Sequence, residues 1–194
     1  MFRHPVNDHI ALKLLELQDA PALYDLIDSG REYLREWLPW VDQTRQVEDT
    51  ARFIQTALGQ FAASNGFQAG ILYQGQLAGV VGFHQIDWHN RNTALGYWLG
   101  ASYQGRGIMT AAVQAMVDIA FNEYHLHRVE IQAAVTNRKS RAIPERLGFT
   151  QEGVIRQAER LLDRFVDHAV YGMLAPDWFQ YRHSRLDLGN NRES

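Results

Sequence analysis

The strongest constraint on the fold is the stretch GYWLGASYQGRGIMTAAVQAMVDIAF, Gly96 to Phe121. A strand-like run ends in it, Gly105 and Gly107 follow, and a long helix with apolar periodicity begins. Glycine costs backbone entropy, so a pair at that junction implies a tight turn or the close approach of a ligand. The first N–H groups of a helix lack intrahelical partners and the helix dipole is positive there, which suits an anion. The spacing is that of a diphosphate cradle made by the backbone N–H groups of Gly105 through Thr110, with Arg106 as a nearby charge. A plain turn into a helix is the competing reading. Neither G-x-G-x-x-G nor G-x-x-x-x-G-K-[ST] is present, so loops of those two kinds do not apply.

The flanking segments supply a sheet for that helix to pack on. HIALKLLEL reads as a first strand, and LQDAPALYDLIDSGREYLREWL as helical, with Asp19 as N-cap and Pro21 in the first turn. QTRQVEDTARFIQTALGQFAASNG gives a second helical region, capped by Asp42 or Thr44. Between Phe67 and Leu99 three short apolar runs, joined by YQGQ and separated by WHNRN, read as an antiparallel meander. After the central helix come a strand in HRVEIQAAV and a short helix from Arg138 that stops at Gly148. FTQEGVIRQAERLLDRFV and HAVYGMLA read as closing strands, the first with helical periodicity as well. That order predicts an α/β fold with a mixed, mostly antiparallel sheet flanked by helices. The expected organisation is a single domain over residues 1–180 and a polar C-terminal tail over 181–194.

Composition removes several function classes. A net charge of -3 gives no basic excess for general nucleic-acid binding. With no cysteine, thiolate catalysis, disulfides and cysteine-bound zinc are excluded from this chain. Eight histidines form no H-x-x-x-H pair, and no metal is expected. His4, Asp8 and His9 stand where a secretory leader needs an apolar run, and no segment has the apolar length of a membrane span. A cytoplasmic protein is the expectation.

The central stretch then becomes specific. YQGRGIMTAAV resembles the acetyl-CoA pyrophosphate loop of the GNAT N-acetyltransferase superfamily, Q/R-x-x-G-x-G/A, at Gln104 and Gly107, with Met109 in the last position. AAVTNRKSRAIPERLGFTQEG resembles the same superfamily's N-x-x-S…LGF…EG block, at Asn137, Ser140, Leu147–Gly148–Phe149 and Glu152–Gly153. REYLREWLPWVDQTRQVEDT is similar to the N-terminal part of the RimJ/RimL-like branch, whose best-known members acetylate the N-termini of ribosomal proteins.

The resemblance implies a GNAT-like fold with the acetyl-CoA loop between the fourth strand and the central helix. It implies transfer of an acetyl group from acetyl-CoA, bound as cosubstrate, to a primary amine. A protein N-terminal amine is the leading acceptor; a small amine such as a polyamine or an antibiotic is the alternative, and a weakly catalytic acyl-CoA-binding protein a third reading. A homodimer is implied ahead of a monomer. The cofactor positions carried over are Tyr97, Trp98 and Leu99, acting through the main chain, then Gln104, Gly105, Arg106, Gly107, Ile108, Met109 and Thr110, with Asn137 and Ser140. Lys139 and Arg141 are placed to reach phosphate.

Ser140 matches the serine proposed in relatives as general acid toward the thiolate, and Asn137 either binds pantetheine or caps the next helix. Relatives carry a basic glutamate where this chain has Gln68 or Ala94. Proton removal then falls to solvent, to Glu16 or to the HQIDWH loop with His84, Asp87 and His89, of which His84 is the catalytic candidate. Trp37 and Trp40, with Gln68 and Asp87, are the candidates for lining the acceptor groove.

Overall fold

The computed structural model describes residues 3–190. Eight strands form one sheet in the order β1-β2-β3-β4-β5-β6-β8-β7. They are β1 (Arg3–Pro5), β2 (Ile10–Leu14), β3 (Phe67–Tyr73), β4 (Gln76–Asp87), β5 (Asn92–Leu99), β6 (Arg128–Ala134), β7 (Thr150–Leu161) and β8 (Arg164–Leu174). Every neighbouring pair is antiparallel except β5 and β6, which are parallel. The helices are α1 (Ala20–Ser29), α2 (Arg31–Leu34), α3 (Val47–Ala62), α4 (Ile108–Asp118), α5 (Arg138–Arg146) and α6 (Ala175–Asn190). The mixed, mostly antiparallel sheet flanked by helices is as expected. The short β1 adds a strand before the first one anticipated, so the glycine turn follows the fifth strand, not the fourth.

Alternation along the strands separates two cores, because successive strand side chains point to opposite faces. Val80 of β4 packs with Leu23, Ile27 and Ile54 of α1 and α3, whereas its neighbour Val81 packs with α4. Within β5, Trp98 joins the α1–α3 core, and Tyr97 and Leu99 join the α4 core. α3 buries Thr50, Ile54 and Ala57, one stripe at helical spacing. α4 is buried at seven of its eleven positions, which is why its sequence is apolar almost all round.

Several local expectations change. α3 begins at Val47, and its first turn is held by Asp49, whose Oδ2 accepts from the N–H groups of Arg45 (2.8 Å) and Gln46 (3.1 Å). Asp42 and Thr44 do not cap it: Asp42 pairs with Arg35 at 2.9 Å and Thr44 ends a 3-10 turn. Asp19 stands just before α1, but its carboxylate turns back to accept from the Glu16 N–H at 2.8 Å and from the Lys13 ammonium. The closing hairpin turns at Leu162–Asp163, so Arg164–Val166 belong to β8 and not to β7. The supposed polar tail from 181 is the second half of α6 as far as Asn190, with Tyr181 packed on Trp178; residues 191–194 lie outside the described residues. Among the described residues no helix is long and apolar enough to cross a membrane.

Candidate active site

The sheet splits where its one parallel pair runs out. β5 pairs with β6 only over Asn92–Ala94 and Arg128–Glu130, although both strands continue. Beyond Ala94, the β6-facing backbone edge of Leu95–Leu99 has no ladder partner, while the other edge stays paired to β4 as far as Leu99. An unpaired strand edge inside a sheet offers N–H and C=O groups to an extended ligand. A groove of about 1430 Å³ opens at this split.

One wall is the turn from β5 into α4. Gly105 and Gly107 adopt φ of 72° and 73°, in the left-handed region that side chains disfavour. A Cβ on either would meet nothing within 4 Å, so both glycines border open space and neither is packed against protein. Gly107 occupies the N-cap of α4 and no side chain caps it. Among the described residues no carbonyl or side chain accepts from the N–H groups of residues 105–110, and the next N–H, of Ala111, bonds the Gly107 carbonyl at 3.1 Å. The side chains of Ile108 and Met109 are buried in the core, which leaves those two residues only their backbone N–H groups to offer.

Positive charge surrounds this turn. Arg106, Arg138, Lys139 and Arg146 all line the groove. Lys139 donates to Gln104 Oε1 at 2.9 Å and lies 5.7 Å from the centre of the Tyr33 ring. Arg146 donates to the Thr110 hydroxyl at 3.0 Å. Arg106 rests over the Tyr73 ring, 5.8 Å from its centre. Arg141 points elsewhere: it bonds the Tyr171 hydroxyl at 2.8 Å and the Val135 carbonyl at 3.0 Å, and it does not line the groove. Open amides on a helix N-terminus, ringed by guanidinium and ammonium groups, fit a diphosphate-bearing ligand.

The second wall carries hydroxyls and titratable groups. Asn137 caps α5, its Oδ1 accepting from the Ser140 N–H at 3.1 Å. Ser140 is bridged to β5 by Tyr97, whose hydroxyl donates to the Ser140 carbonyl at 3.0 Å and accepts from Ser140 Oγ at 3.4 Å. Burial pushes the Tyr97 phenol well above its ordinary value, so it stays protonated. His84 lies where the β4–β5 register slips between Phe83 and Ile86, and its ring packs over Gly96. It is open to the groove, yet the walls desolvate the imidazole and hold its pKa below the usual value. Gln68 spends its amide on the Phe83 carbonyl at 2.9 Å.

Two groove residues escaped the sequence reading. Glu159 of β7 and His168 of β8 pair at 3.1 Å, and Gln132 stands 3.4 Å from the other ring nitrogen of His168. Trp37 packs beside them on Ala134, Leu161 and Val166. Trp40 and Trp98, with ring centres 5.8 Å apart, add an aromatic wall that Phe53 extends.

Asp87 stands apart from the groove, holding the β4–β5 turn by accepting from Asn90 N and Nδ2 at 2.9 and 2.7 Å. His89 is exposed on that turn, and Glu16 is paired with Lys13 at 3.3 Å. Neither lines the groove.

The architecture and sequence match known proteins over nearly their full length. The chain is 40% identical over 180 residues to YdaF of Bacillus subtilis (strain 168), covering 92% of this chain and 98% of that one. The solved structure of RimL, ribosomal L7/L12 alpha-N-protein acetyltransferase, in complex with coenzyme A superposes with a TM-score of 0.87 at 29% identity, over 91% of this chain and 99% of that one. The microcin C7 self-immunity acetyltransferase MccE, in complex with acetyl-CoA and AMP, superposes with a TM-score of 0.84 at 33% identity, over 87% and 94%. Residues 9–150 match the family model of the acetyltransferase (GNAT) domain, and with that match across the sheet, the glycine turn and α5, the chain belongs to the GNAT family of N-acetyltransferases.

Proposed function

We propose that the protein transfers the acetyl group of acetyl-CoA to the α-amine of a protein N-terminus. The observation that carries this reading is that the amide cradle of residues 105–110, the Ser140–Tyr97 pair and the Glu159–His168 pair all line one groove at the β5–β6 split. That groove draws on residues from Leu23 to His168, which supports a single N-acetyltransferase domain over residues 1–180.

Acetyl-CoA supplies an activated thioester carbonyl, and the chain's residues do the rest. The cradle and its cations hold the diphosphate, and the unpaired edge of Leu95–Leu99 hydrogen-bonds the pantetheine arm. Glu159 attracts the acceptor ammonium and takes its proton, with His168 holding the carboxylate in place. His84, neutral at physiological pH, accepts a second hydrogen bond from the amine and orients its lone pair. The Ser140 hydroxyl, steadied by Tyr97, donates to the departing sulfur.

RimL, which acts on a ribosomal protein α-amine, supports the protein acceptor. A cytoplasmic setting goes with a ribosomal acceptor. A homodimer belongs to the same reading, because the edge strand β7 is exposed on both faces and Val154, Ile155, Leu162 and Phe165 present apolar surface there. The second reading is a small amine attached to a planar ring, favoured by the AMP bound to MccE and by the Trp40–Trp98–Phe53 wall.

The test is a thiol-release assay with acetyl-CoA against peptides with free N-terminal serine or alanine, polyamines and an aminoacyl-nucleotide analogue. Release with peptides sustains the first reading. Release only with the nucleotide analogue replaces it with the second. Silence across the panel, despite calorimetric binding of CoA, overturns both.

A further inference from the structure

Glu159 meets His168 only because the closing hairpin is irregular. Ile155 stands opposite His168, but the next pair toward the turn is Glu159 opposite Val166. Three β7 residues, Arg156, Gln157 and Ala158, therefore face the single β8 residue Asp167. In an unbroken ladder Gln157 would stand opposite Val166, and Glu159 opposite Arg164. Two residues of strand span about 7 Å, so Glu159 would sit that much closer to the hairpin turn, out of reach of His168. The slip is by two, so the face on which Glu159 points is kept and only its position along the groove changes.

The bulge needs a holder. It leaves Gln157 at φ 51°, in the left-handed region, and takes its N–H out of the ladder. Asp167 Oδ1 accepts that N–H at 2.8 Å. The carbonyl of the same residue accepts from the Val135 N–H at 2.9 Å, which fixes this point of β8 to the chain leaving β6, two residues before Asn137. Asp167 does not line the groove, and neither does Gln157, so any effect on the reaction passes through another residue.

We infer that Asp167 is a positioning residue for Glu159: by capping the bulge at Gln157 it sets the register that brings the Glu159 carboxylate against His168 in the groove. The inference rests on the reading of Glu159 as the group that takes the amine proton. A backbone bulge held by one side chain is a sensitive place, because a misplacement of about 1 Å at a reacting group costs on the order of 100-fold.

The experiment compares Glu159→Gln, Asp167→Ala, Asp167→Asn and the double variant Asp167→Ala/Gln157→Gly in the full chain. It uses acetyl-CoA and a peptide with a free N-terminal serine, and calorimetry of CoA binding checks that each variant is folded. Glu159→Gln is expected to lower kcat/KM for the peptide by about 100-fold or more, as loss of a general base does. Asp167→Ala is expected to lower it by about 10- to 100-fold, with CoA affinity within about twofold, since the cradle is untouched. Asp167→Asn keeps the Oδ1 acceptor and recovers most of the loss. The double variant recovers part of it, because glycine adopts the left-handed conformation without a cap. The acid limb of the kcat/KM profile moves in Asp167→Ala and stays in Asp167→Asn. Full activity with an unmoved acid limb in Asp167→Ala overturns the inference, and so does equal damage in Asp167→Asn. An active Glu159→Gln instead overturns the assignment of the base, a failure the other variants do not mimic.

Discussion

The Tyr97 hydroxyl sits 3.0 Å from the carbonyl oxygen of Ser140 and 3.4 Å from its Oγ, linking β5 to the first turn of α5 across the mouth of the split. The phenol therefore fixes both the backbone and the hydroxyl of the residue proposed to meet the leaving sulfur. Ser140→Ala is expected to lower kcat by about 10- to 100-fold, with the KM for acetyl-CoA within about twofold, as removal of a positioned proton donor does. Tyr97→Phe keeps the Ser140 hydroxyl but removes the phenol that aligns it, so a smaller drop in kcat is expected. It also costs about 1 kcal/mol of stability for the lost hydrogen bonds. Steady-state kinetics and thermal melts of the two variants check this; equal kcat for Ser140→Ala and wild type removes the serine from the mechanism.

Gly107 gives a different signature, because it acts through shape. Its φ of 73° costs a residue with a Cβ about 1–2 kcal/mol, although the space around it is open. Gly107→Ala is expected to straighten the turn, raise the KM for acetyl-CoA about tenfold and leave kcat at saturation nearly unchanged, because the cradle is proposed to hold a remote part of the cosubstrate. Gly107→Asn, which tolerates the left-handed conformation better, should lose less stability than Gly107→Ala. A rise in KM without any loss of melting temperature would mean that the cradle keeps its backbone and is merely blocked.

His84 ties stability to pH. Its folded pKa lies below the ordinary 6.5 because burial disfavours the imidazolium. Between the two values the unfolded chain binds more protons, so stability rises with pH there. The contribution is complete above about 6.5 and is lost as the pH falls through the folded pKa. His84→Gln is expected to flatten that part of the curve of denaturation midpoint against pH and to lower kcat less than Glu159→Gln does. An unchanged slope would show that the ring gains its proton without cost, as a fully hydrated imidazole does.

Those residues also mark how far the sequence could be read. The glycine turn, the meander and the order of elements are local signals: Gly105 and Gly107 need positive φ, and each strand of the meander is bounded by turn residues. Trp37 and Trp40 come from an aromatic-rich run, Gln68 from a strand matched to the family and His84 from the basicity of imidazole, and the structure brings all four side chains to the groove. Glu159 and His168 were invisible for a physical reason. RQAERLLDR has a helical period, and the two-residue slip that sets Glu159 beside His168 depends on pairing with β8, which no local pattern encodes. Asp87 differs in the opposite sense: an acidic residue in a histidine-rich loop suggests function, and the structure holds it on the turn by Asn90, apart from the groove.

The exposed apolar edge of the hairpin makes a prediction about assembly. Phe165 is 62% exposed and Leu162 53%, values that a lone hairpin tip would leave in water. Phe165→Asp, at a position outside the groove, is expected to convert a dimer to a monomer in sedimentation or light scattering, with CoA affinity unchanged. A wild-type protein that is monomeric at micromolar concentration leaves β7 as a free edge and removes the homodimer from the reading.

The helix after the sheet reaches the cradle indirectly. Trp178 is wholly buried, donates from Nε1 to Asp118 Oδ1 at 2.8 Å, and stacks on Tyr181 with ring centres 5.4 Å apart. The Tyr181 hydroxyl then bonds the carbonyl of Arg146 at 3.0 Å, and Arg146 holds Thr110 on α4. Trp178→Ala should therefore cost about 3–5 kcal/mol, the usual loss for a buried tryptophan. Tyr181→Phe keeps the ring stack and removes one bond, so it is expected to raise the KM for acetyl-CoA a few-fold (roughly 2–5) by loosening Arg146, with about 1 kcal/mol of stability lost. Thermal melts and the KM for acetyl-CoA of the two variants check this; an unchanged KM in Tyr181→Phe would show that Arg146 keeps its place without that bond.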